Sequence, residues 1–128
     1  MRIGIVGSRE YPKLHLVRSY VSKLDKDTVI ISGGAAGVDK AAEEAAKEFG
    51  LETKIYLAEW ETYGRRAGFL RNTQIVEDSE KIVAFWDESS RGTLDTLRKA
   101  IKAGREVWIL GKTGHWLDID SALGLREH

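Results

Sequence analysis

The stretch VIISGGAAGVD, residues 29–39, decides the fold, because a short β-branched run gives way there to three glycines and then to a helical pattern. A continuous apolar run of this kind is typical of a strand buried on both faces. After Gly37 the apolar positions recur at helical spacing up to Phe49, and Gly50 ends the predicted helix. The sequence therefore predicts a strand, a tight glycine turn and a helix.

The glycine turn is also the predicted ligand site. Gly33, Gly34 and Gly37 would let the backbone turn sharply and approach a ligand closely, and the free N–H groups at the start of the next helix favour an anion. Their spacing is neither that of the dinucleotide fingerprint nor that of a P-loop. Taken alone, this turn is equally compatible with a phosphate site and with a tight structural connection.

Further apolar runs on both sides of this stretch predict the same order of strand and helix. The predicted strands are residues 2–6, 28–32, 52–57, 81–86 and 106–110. The predicted helices are residues 11–25, 38–49, 66–76 and 94–101, followed by a short helix around residues 117–123 and a frayed end up to residue 128. Strands that alternate with helices indicate an α/β fold, an open parallel sheet of about five strands with helices on both faces. We expect a single domain over residues 1–128.

Composition restricts the function. The 20 basic and 20 acidic residues cancel, so a polyanion could be bound only through a local patch. There is no cysteine and the three histidines lie far apart, so we expect no disulfide, no metal site and no cofactor. No apolar run approaches the ~20 residues of a membrane span, and the N-terminus lacks the layout of a signal peptide. We therefore expect a cytoplasmic location and no membrane partner.

Polar turns follow three of the predicted strands, at residues 7–9, 32–37 and 89–93. The carboxyl ends of parallel strands meet at one edge of a sheet, where ligands bind in folds of this class. Convergence of the turns therefore favours the phosphate site over the structural connection. The candidate ligand-binding residues are Gly7, Ser8, Arg9, Ser32, Gly33, Gly34, Gly37, Asp39, Arg71, Asn72, Ser90, Gly92 and Thr93.

Several candidates have two interpretations. Arg71 could hold a phosphate with its planar guanidinium, or it could be an ordinary surface arginine. Ser32 and Ser90 could donate hydrogen bonds to a phosphate or could cap turns. Asp39 could accept a hydrogen bond from a ribose hydroxyl. Alternatively, its negative charge could simply be stabilised by the positive end of the helix dipole at the start of the helix.

Aromatic side chains are candidates for base stacking. Trp60 and Tyr63 lie in a polar segment with no clean period, where their rings could stack on a nucleobase. Phe85 is expected in the core of the fourth strand, and Phe69 and Leu70 are expected to turn inward from the helix predicted over residues 66–76. Trp60 and Tyr63 are therefore the predicted stacking residues.

Four motifs, taken together and in order, resemble the SLOG superfamily of Rossmann-like nucleotide-binding proteins. They are Gly7-Ser8-Arg9, the SGGAAGVD of residues 32–39, Phe69-x-Arg71-Asn72 and Ser90-x-Gly92-Thr93. Over roughly residues 1–110 the chain is similar to the small stand-alone members of the YspA type and to the Rossmann domain of the DprA family. This resemblance implies a Rossmann-like fold, a nucleotide-derived ligand on the glycine turns with Arg71 clamping its phosphate, and a homo-oligomer.

The resemblance leaves three functions open. The first is a sensor or binding module for a nucleotide-derived small molecule. The second is a phosphoribohydrolase that acts on nucleoside monophosphates, with Asp95 or Glu43 as the catalytic carboxylate. The hydrolase branch, called LOG, carries the pattern P-G-G-x-G-T-x-x-E, but Thr96 stands here at the glutamate position and Asp95 lies one residue early, which turns it by about 100° on a helix. The third is single-stranded DNA binding of the DprA type, for which Arg65 and Arg66 could contribute positive charge.

Overall fold

The computed structural model describes residues 1–124. Its strands are β1 (Arg2–Gly7), β2 (Val29–Ser32), β3 (Glu52–Ile55), β4 (Lys81–Phe85) and β5 (Glu106–Leu110). Its helices are α1 (His15–Ser22), α2 (Val38–Glu48), α3 (Trp60–Tyr63), α4 (Ala67–Asp78), α5 (Arg91–Lys102) and α6 (Ile119–Leu123), and a 3-10 turn (Gly64–Arg66) joins α3 to α4. Residues 125–128, which belong to the expected frayed end, lie outside the described residues.

The five strands form one parallel sheet in the order β3-β2-β1-β4-β5. The chain moves outward from β1 to β3 and then returns to add β4 on the other side of β1. Helices α1 and α2 pack on one face of the sheet, and α4 and α5 pack on the other. The predicted α/β architecture is therefore confirmed, with its topological switch point between β1 and β4.

The core follows from the apolar runs. Residues 82–85 of β4 are completely buried, because the strand is covered by helices on both faces. Ala42 and Ala46 of α2 are also completely buried, and their small side chains let this helix lie close to the sheet. None of the helices within residues 1–124 has the length and apolarity that a membrane crossing requires.

The first helix begins later than its sequence pattern predicts. It starts at His15 rather than at Tyr11 and Pro12; Tyr11 lies in an irregular segment and Pro12 in a turn. Tyr11 is buried, its ring contacts Phe85 edge to face at 5.8 Å, and its hydroxyl donates to the carbonyl oxygen of Gly111 at 2.7 Å. Because these distant contacts fix Tyr11, the segment before α1 follows them instead of continuing the helix.

The inward orientation expected for Phe69 and Leu70 of α4 is wrong. Phe69 and Leu70 are 52% and 41% exposed, whereas Ile75 and Val76 of the same helix are buried as expected. Ala67, in the same first turn, is buried, so Phe69 and Leu70 are exposed because they leave the helix in other directions. The Lys99 ammonium lies 5.6 Å from the centre of the Phe69 ring. The short α3 and the 3-10 turn before α4 were not predicted, because the apolar residues of this segment recur with no regular period.

Candidate functional site

The carboxyl ends of β1, β2 and β4 enclose a cleft of about 170 Å³ at the switch point of the sheet. The sequence-predicted residues that line it are Gly7, Arg9, Asp39, Arg71, Asn72, Ser90, Gly92 and Thr93. They come from segments that are far apart in the chain: the loop after β1, the start of α2, the middle of α4 and the start of α5. The structure therefore brings together three separate polar turns and the Arg71-Asn72 pair.

Two glycines allow the segments around the cleft to approach one another. Gly37 has a φ of +80°, and a Cβ built there would overlap the backbone of Arg9. A Cβ on Gly7 would overlap the carbonyl oxygen of Phe85. Only glycine therefore fits at these positions, and both are needed for β1, β4 and the start of α2 to meet at the cleft.

Arg71 lies across the glycine turn. Its Nη1 donates to the carbonyl oxygen of Gly33 at 2.6 Å, and its Nε donates to the side-chain oxygen of Asn72 at 3.0 Å. Its second terminal nitrogen, Nη2, makes no hydrogen bond within residues 1–124. The guanidinium is thus held in place by two bonds and keeps donors for a ligand, the arrangement by which arginine binds phosphate.

Asp39 lies in the first turn of α2, on the inner side of the cleft, and is only 6% exposed. One of its carboxylate oxygens accepts the backbone N–H of Ala35 at 3.1 Å. Burial raises the pKa of Asp39 from 3.8 to about 6, although the Ala35 hydrogen bond and the nearby Arg71 guanidinium act in the opposite direction. Asp39 therefore closes the glycine turn and carries a charge that depends on pH near neutrality.

The N-terminus of α5 forms the third wall. Ser90 is its N-cap, and the Ser90 hydroxyl accepts the backbone N–H of Thr93 at 3.4 Å. The first-turn N–H groups of Arg91 and Gly92 have no acceptor within the helix, and a Cβ on Gly92 would meet nothing within 4 Å. The cleft is thus open above backbone donors that favour an anion.

The loop before α5 is held by a carboxylate that sequence reasoning did not single out. Asp87 accepts the backbone N–H groups of Ser89 and Ser90 at 2.9 and 2.8 Å, and its own N–H donates to the Ser8 hydroxyl at 3.0 Å. Burial alone would raise the pKa of Asp87, but the hydrogen bonds from Ser89 and Ser90 outweigh it and hold that pKa below its usual value. Ser8 is thus a buried link between two loops.

The remaining candidates of the glycine turn, Ser32, Gly33 and Gly34, lie behind the cleft. The Ser32 hydroxyl donates to Glu43 at 2.7 Å, and Gly33 offers its carbonyl oxygen to Arg71. Gly34 has a φ of +70° and shapes the turn. These residues support the cleft from outside its lining.

The candidate catalytic carboxylates are both engaged by neighbouring donors. Oδ2 of Asp95 accepts the Asn72 amide at 3.2 Å and the Lys99 ammonium at 2.8 Å, and Asp95 does not line the cleft. Glu43 accepts the Ser32 hydroxyl and lies 3.7 Å from the Lys40 ammonium. The arrangement makes Asp95 a support for Asn72, whose amide also donates to the carbonyl oxygen of Gly92 at 3.2 Å.

The two stacking candidates lie outside the cleft. Tyr63 lines a neighbouring pocket of about 290 Å³ that Leu57, Leu70 and Arg71 also line, so Arg71 separates this pocket from the cleft. Trp60 is exposed and lines a broader surface groove beside β3. The cleft also contains Ala35 and Thr96, which sequence reasoning missed; Thr96 donates its hydroxyl to the carbonyl oxygen of Gly92, four residues earlier on the same helix face, at 3.2 Å.

Comparison with known protein families gives one matching model, described as DNA recombination-mediator protein A, over residues 1–63. The chain is similar to the Gene 61 protein of Mycobacterium phage D29, with 35% identity over 85 residues that cover 62% of this chain and 68% of the phage protein.

Solved structures of DNA-processing proteins share the fold. One is the X-ray structure of DNA processing protein A (DprA) from Streptococcus pneumoniae, with a TM-score of 0.78, 22% identity and a match over 97% of this chain and 54% of that one. Another is DNA processing protein A from Helicobacter pylori, whose structure concerns its single-stranded DNA binding mode. It has a TM-score of 0.66, 20% identity and a match over 98% of this chain and 72% of that one. The chain thus spans about half the length of the S. pneumoniae protein.

Proposed function

Since the chain belongs to the SLOG superfamily as a DprA-type Rossmann-like domain, we propose that it binds single-stranded DNA, with a backbone phosphate held in the cleft at the switch point. In this proposal Arg71 contacts the phosphate through its free Nη2, and the N–H groups of Arg91 and Gly92 contact it from the start of α5. The matching family model is described as DNA recombination-mediator protein A, and the two solved structures are DNA-processing proteins, one of which is described as binding single-stranded DNA.

The size of the cleft favours a phosphate group of DNA over a whole small-molecule ligand. At about 170 Å³ it is smaller than the ~300–1,000 Å³ of pockets that enclose a small molecule. A phosphate group fits such a volume, whereas a whole nucleotide would protrude from it. This supports contact with one phosphate of an extended chain.

The charge of the protein defines how this binding should respond to salt. Because the net charge is zero, no long-range field attracts the DNA, and few phosphates are neutralised on binding. For single strands the slope of log affinity against log salt is about −0.7 per phosphate contacted. We therefore expect a shallow slope, equivalent to only a few phosphates.

A nucleotide-derived small molecule is the second candidate ligand, favoured by Asp39. This buried carboxylate lies at the cleft, where it could accept a hydrogen bond from a ribose hydroxyl, a group that DNA lacks at the 2′ position. Hydrolysis of such a ligand is not proposed, because Asp95 and Glu43 are both held by other donors.

The test compares two arginine variants with the same change of charge. Fluorescence anisotropy of a labelled oligothymidylate is measured over a salt series for the wild-type protein, Arg71→Gln and Arg98→Gln, with Arg98 exposed on α5 outside the cleft. We expect Arg71→Gln to weaken binding about tenfold or more and Arg98→Gln to leave it within about twofold. Equal binding by all three proteins would contradict the proposed site. A thermal shift with AMP or ADP-ribose and none with the oligonucleotide would favour the small molecule instead.

A further inference from the structure

A second pocket, of about 290 Å³, adjoins the cleft. Arg71 lines both, so the guanidinium proposed to hold the phosphate also borders this pocket. Its other walls include Leu57 after β3, Tyr63 in α3 and Leu70 in α4. In a nucleotide only the sugar separates the base from the phosphate, so a base next to the bound phosphate would lie within reach of this pocket.

The walls of the pocket fit a flat, uncharged ring. Leu57, Tyr63 and Leu70 are 66%, 43% and 41% exposed. Exposed apolar side chains around a concave surface are typical of a binding site, and an aromatic ring stacks on any nucleobase. The negative charge of Glu59, which also lines the pocket, disfavours a phosphate there. The pocket therefore suits a base, while the phosphate stays in the cleft.

Two polar side chains of the pocket are free to bind a ligand. The Glu59 carboxylate and the Gln74 amide line it, and neither makes a hydrogen bond or an ion pair within residues 1–124. The Thr73 hydroxyl, by contrast, already donates to the carbonyl oxygen of Phe69 at 3.1 Å. The pocket thus presents a carboxylate that accepts hydrogen bonds and an amide that both donates and accepts them.

These two groups distinguish the bases of DNA. A carboxylate accepts a hydrogen bond from the amino group of cytosine, and a glutamine amide pairs with the amino group and a ring nitrogen of adenine. Thymine has no exocyclic amino group and carries a carbonyl oxygen in its place. That oxygen could not donate to the Glu59 carboxylate, so thymine would leave the carboxylate without a hydrogen bond.

Given the phosphate contact of Arg71 proposed above, on which this step rests, we propose that the pocket receives one base of the bound DNA strand and selects a base with an exocyclic amino group over thymine. Tyr63 stacks on the base, Glu59 accepts a hydrogen bond from its amino group, and Gln74 binds a neighbouring position of the ring. The protein therefore has a sequence preference at the nucleotide beside the bound phosphate.

The groove lined by Trp60 continues from this pocket. Glu59 and Gln74 line both, whereas Arg71 lines the pocket and not the groove. A base beside the phosphate therefore reaches the pocket before the groove, which places Tyr63 rather than Trp60 next to that base.

The test compares bases that differ in a single group. Fluorescence anisotropy is measured near neutral pH for labelled oligodeoxycytidylate, oligothymidylate and oligodeoxyuridylate of equal length. Uracil lacks the methyl group of thymine but keeps its carbonyl oxygens, so the three ligands separate the effect of the amino group from that of the methyl group. We expect the wild type to bind oligodeoxycytidylate about fivefold or more tighter than the other two, which should bind alike.

Variants of the pocket assign the preference to its residues. Glu59→Ala should make the affinities for cytosine and thymine oligonucleotides nearly equal. Glu61→Ala removes the same charge from the adjoining groove, outside the pocket, and should leave their ratio unchanged. Tyr63→Ala should weaken binding of all three oligonucleotides about fivefold or more, whereas Tyr63→Phe keeps the aromatic face and should restore most of the affinity.

Arg71→Gln separates the two proposals. Equal affinity of the wild type for the three oligonucleotides, together with weaker binding by Arg71→Gln, would overturn the base pocket and leave the phosphate contact in place. A cytosine preference that Glu59→Ala and Glu61→Ala retain equally would also overturn the pocket. Binding that Arg71→Gln leaves unchanged would overturn the phosphate contact, and an absence of binding to any of the oligonucleotides would overturn both.

Discussion

Arg71 donates its Nη1 to the carbonyl oxygen of Gly33 at 2.6 Å and thereby ties the middle of α4 to the turn between β2 and α2. The two residues are 38 positions apart in the chain. The contact orients the guanidinium before any ligand arrives, and pre-organisation of this kind reduces the entropy lost on binding.

Gly37 should tolerate no side chain. Both Gly37 and Gly50 have positive φ, at +80° and +74°, but a Cβ would overlap the Arg9 backbone only at Gly37 and would meet nothing within 4 Å at Gly50. We expect Gly50→Ala to lower the free energy of unfolding by about 1 kcal/mol and Gly37→Ala to lower it by at least about twice as much. Urea unfolding followed by circular dichroism measures both, and equal losses would show that the overlap at Gly37 has no cost.

Asp39 should make stability depend on pH. A carboxyl whose pKa is higher in the folded than in the unfolded chain binds more protons when folded, so its contribution is complete below the unfolded pKa and is lost as pH rises through the folded pKa. For Asp39 this interval runs from 3.8 to about 6. Relative to Asp39→Asn, the wild-type free energy of unfolding should fall by an amount on the order of 3 kcal/mol over this interval. Parallel stability curves for the two proteins would contradict this prediction.

The same group should couple DNA binding to pH. A phosphate in the cleft disfavours the ionised form of Asp39, so binding should take up a proton and should tighten as pH falls from about 7 to about 5. Anisotropy titrations of wild type and Asp39→Asn measure the effect. The histidines are common to both proteins, so the difference between the two curves reports Asp39 alone, and no difference would remove Asp39 from the binding site.

Asp95 should contribute to stability through Asn72. In Asp95→Ala the buried Asn72 amide keeps the carbonyl oxygen of Gly92 as an acceptor but loses the carboxylate. We expect a loss of about 1 kcal/mol in the free energy of unfolding, with Glu44→Ala on the exposed face of α2 as a neutral control. Chromatography of mixtures with AMP gives a second readout, because release of free adenine by the wild type and not by Asp95→Ala would identify Asp95 as a catalytic group instead.

The sequence predicted those parts of the fold that local pattern determines. The β-branched runs and the glycines that follow them were enough to predict five parallel strands and the edge where the polar turns meet. Residues whose place depends on distant partners were harder to predict. Tyr11 leaves the expected helix because its hydroxyl bonds to the carbonyl oxygen of Gly111, 100 residues away.

Some residues of the candidate site could likewise be predicted from the sequence, and others could not. That Arg71 and Asp39 would lie near the glycine turn followed from strand order and from the family resemblance. That Asp95 would be occupied by Asn72 and Lys99 could not be predicted, because helical spacing gives the direction of a side chain but not the donors that meet it. The role of Asp87 was not predicted because no distinctive motif surrounds it. An aspartate that accepts the backbone N–H groups two and three residues later, as Asp87 does from Ser89 and Ser90, is nevertheless typical of a turn.

The position of β1 between β2 and β4, together with the Tyr11 bond to Gly111, has a consequence for synthesis of the protein. Of the five strands described, β1 is made first and needs partners on both sides, and the loop that carries Arg9 is bound through Tyr11 to Gly111, near the other end of the described residues. A nascent chain that stops before β4 has only two walls of the cleft. The cleft therefore takes its full shape only after β4 and the first turn of α5 have been made.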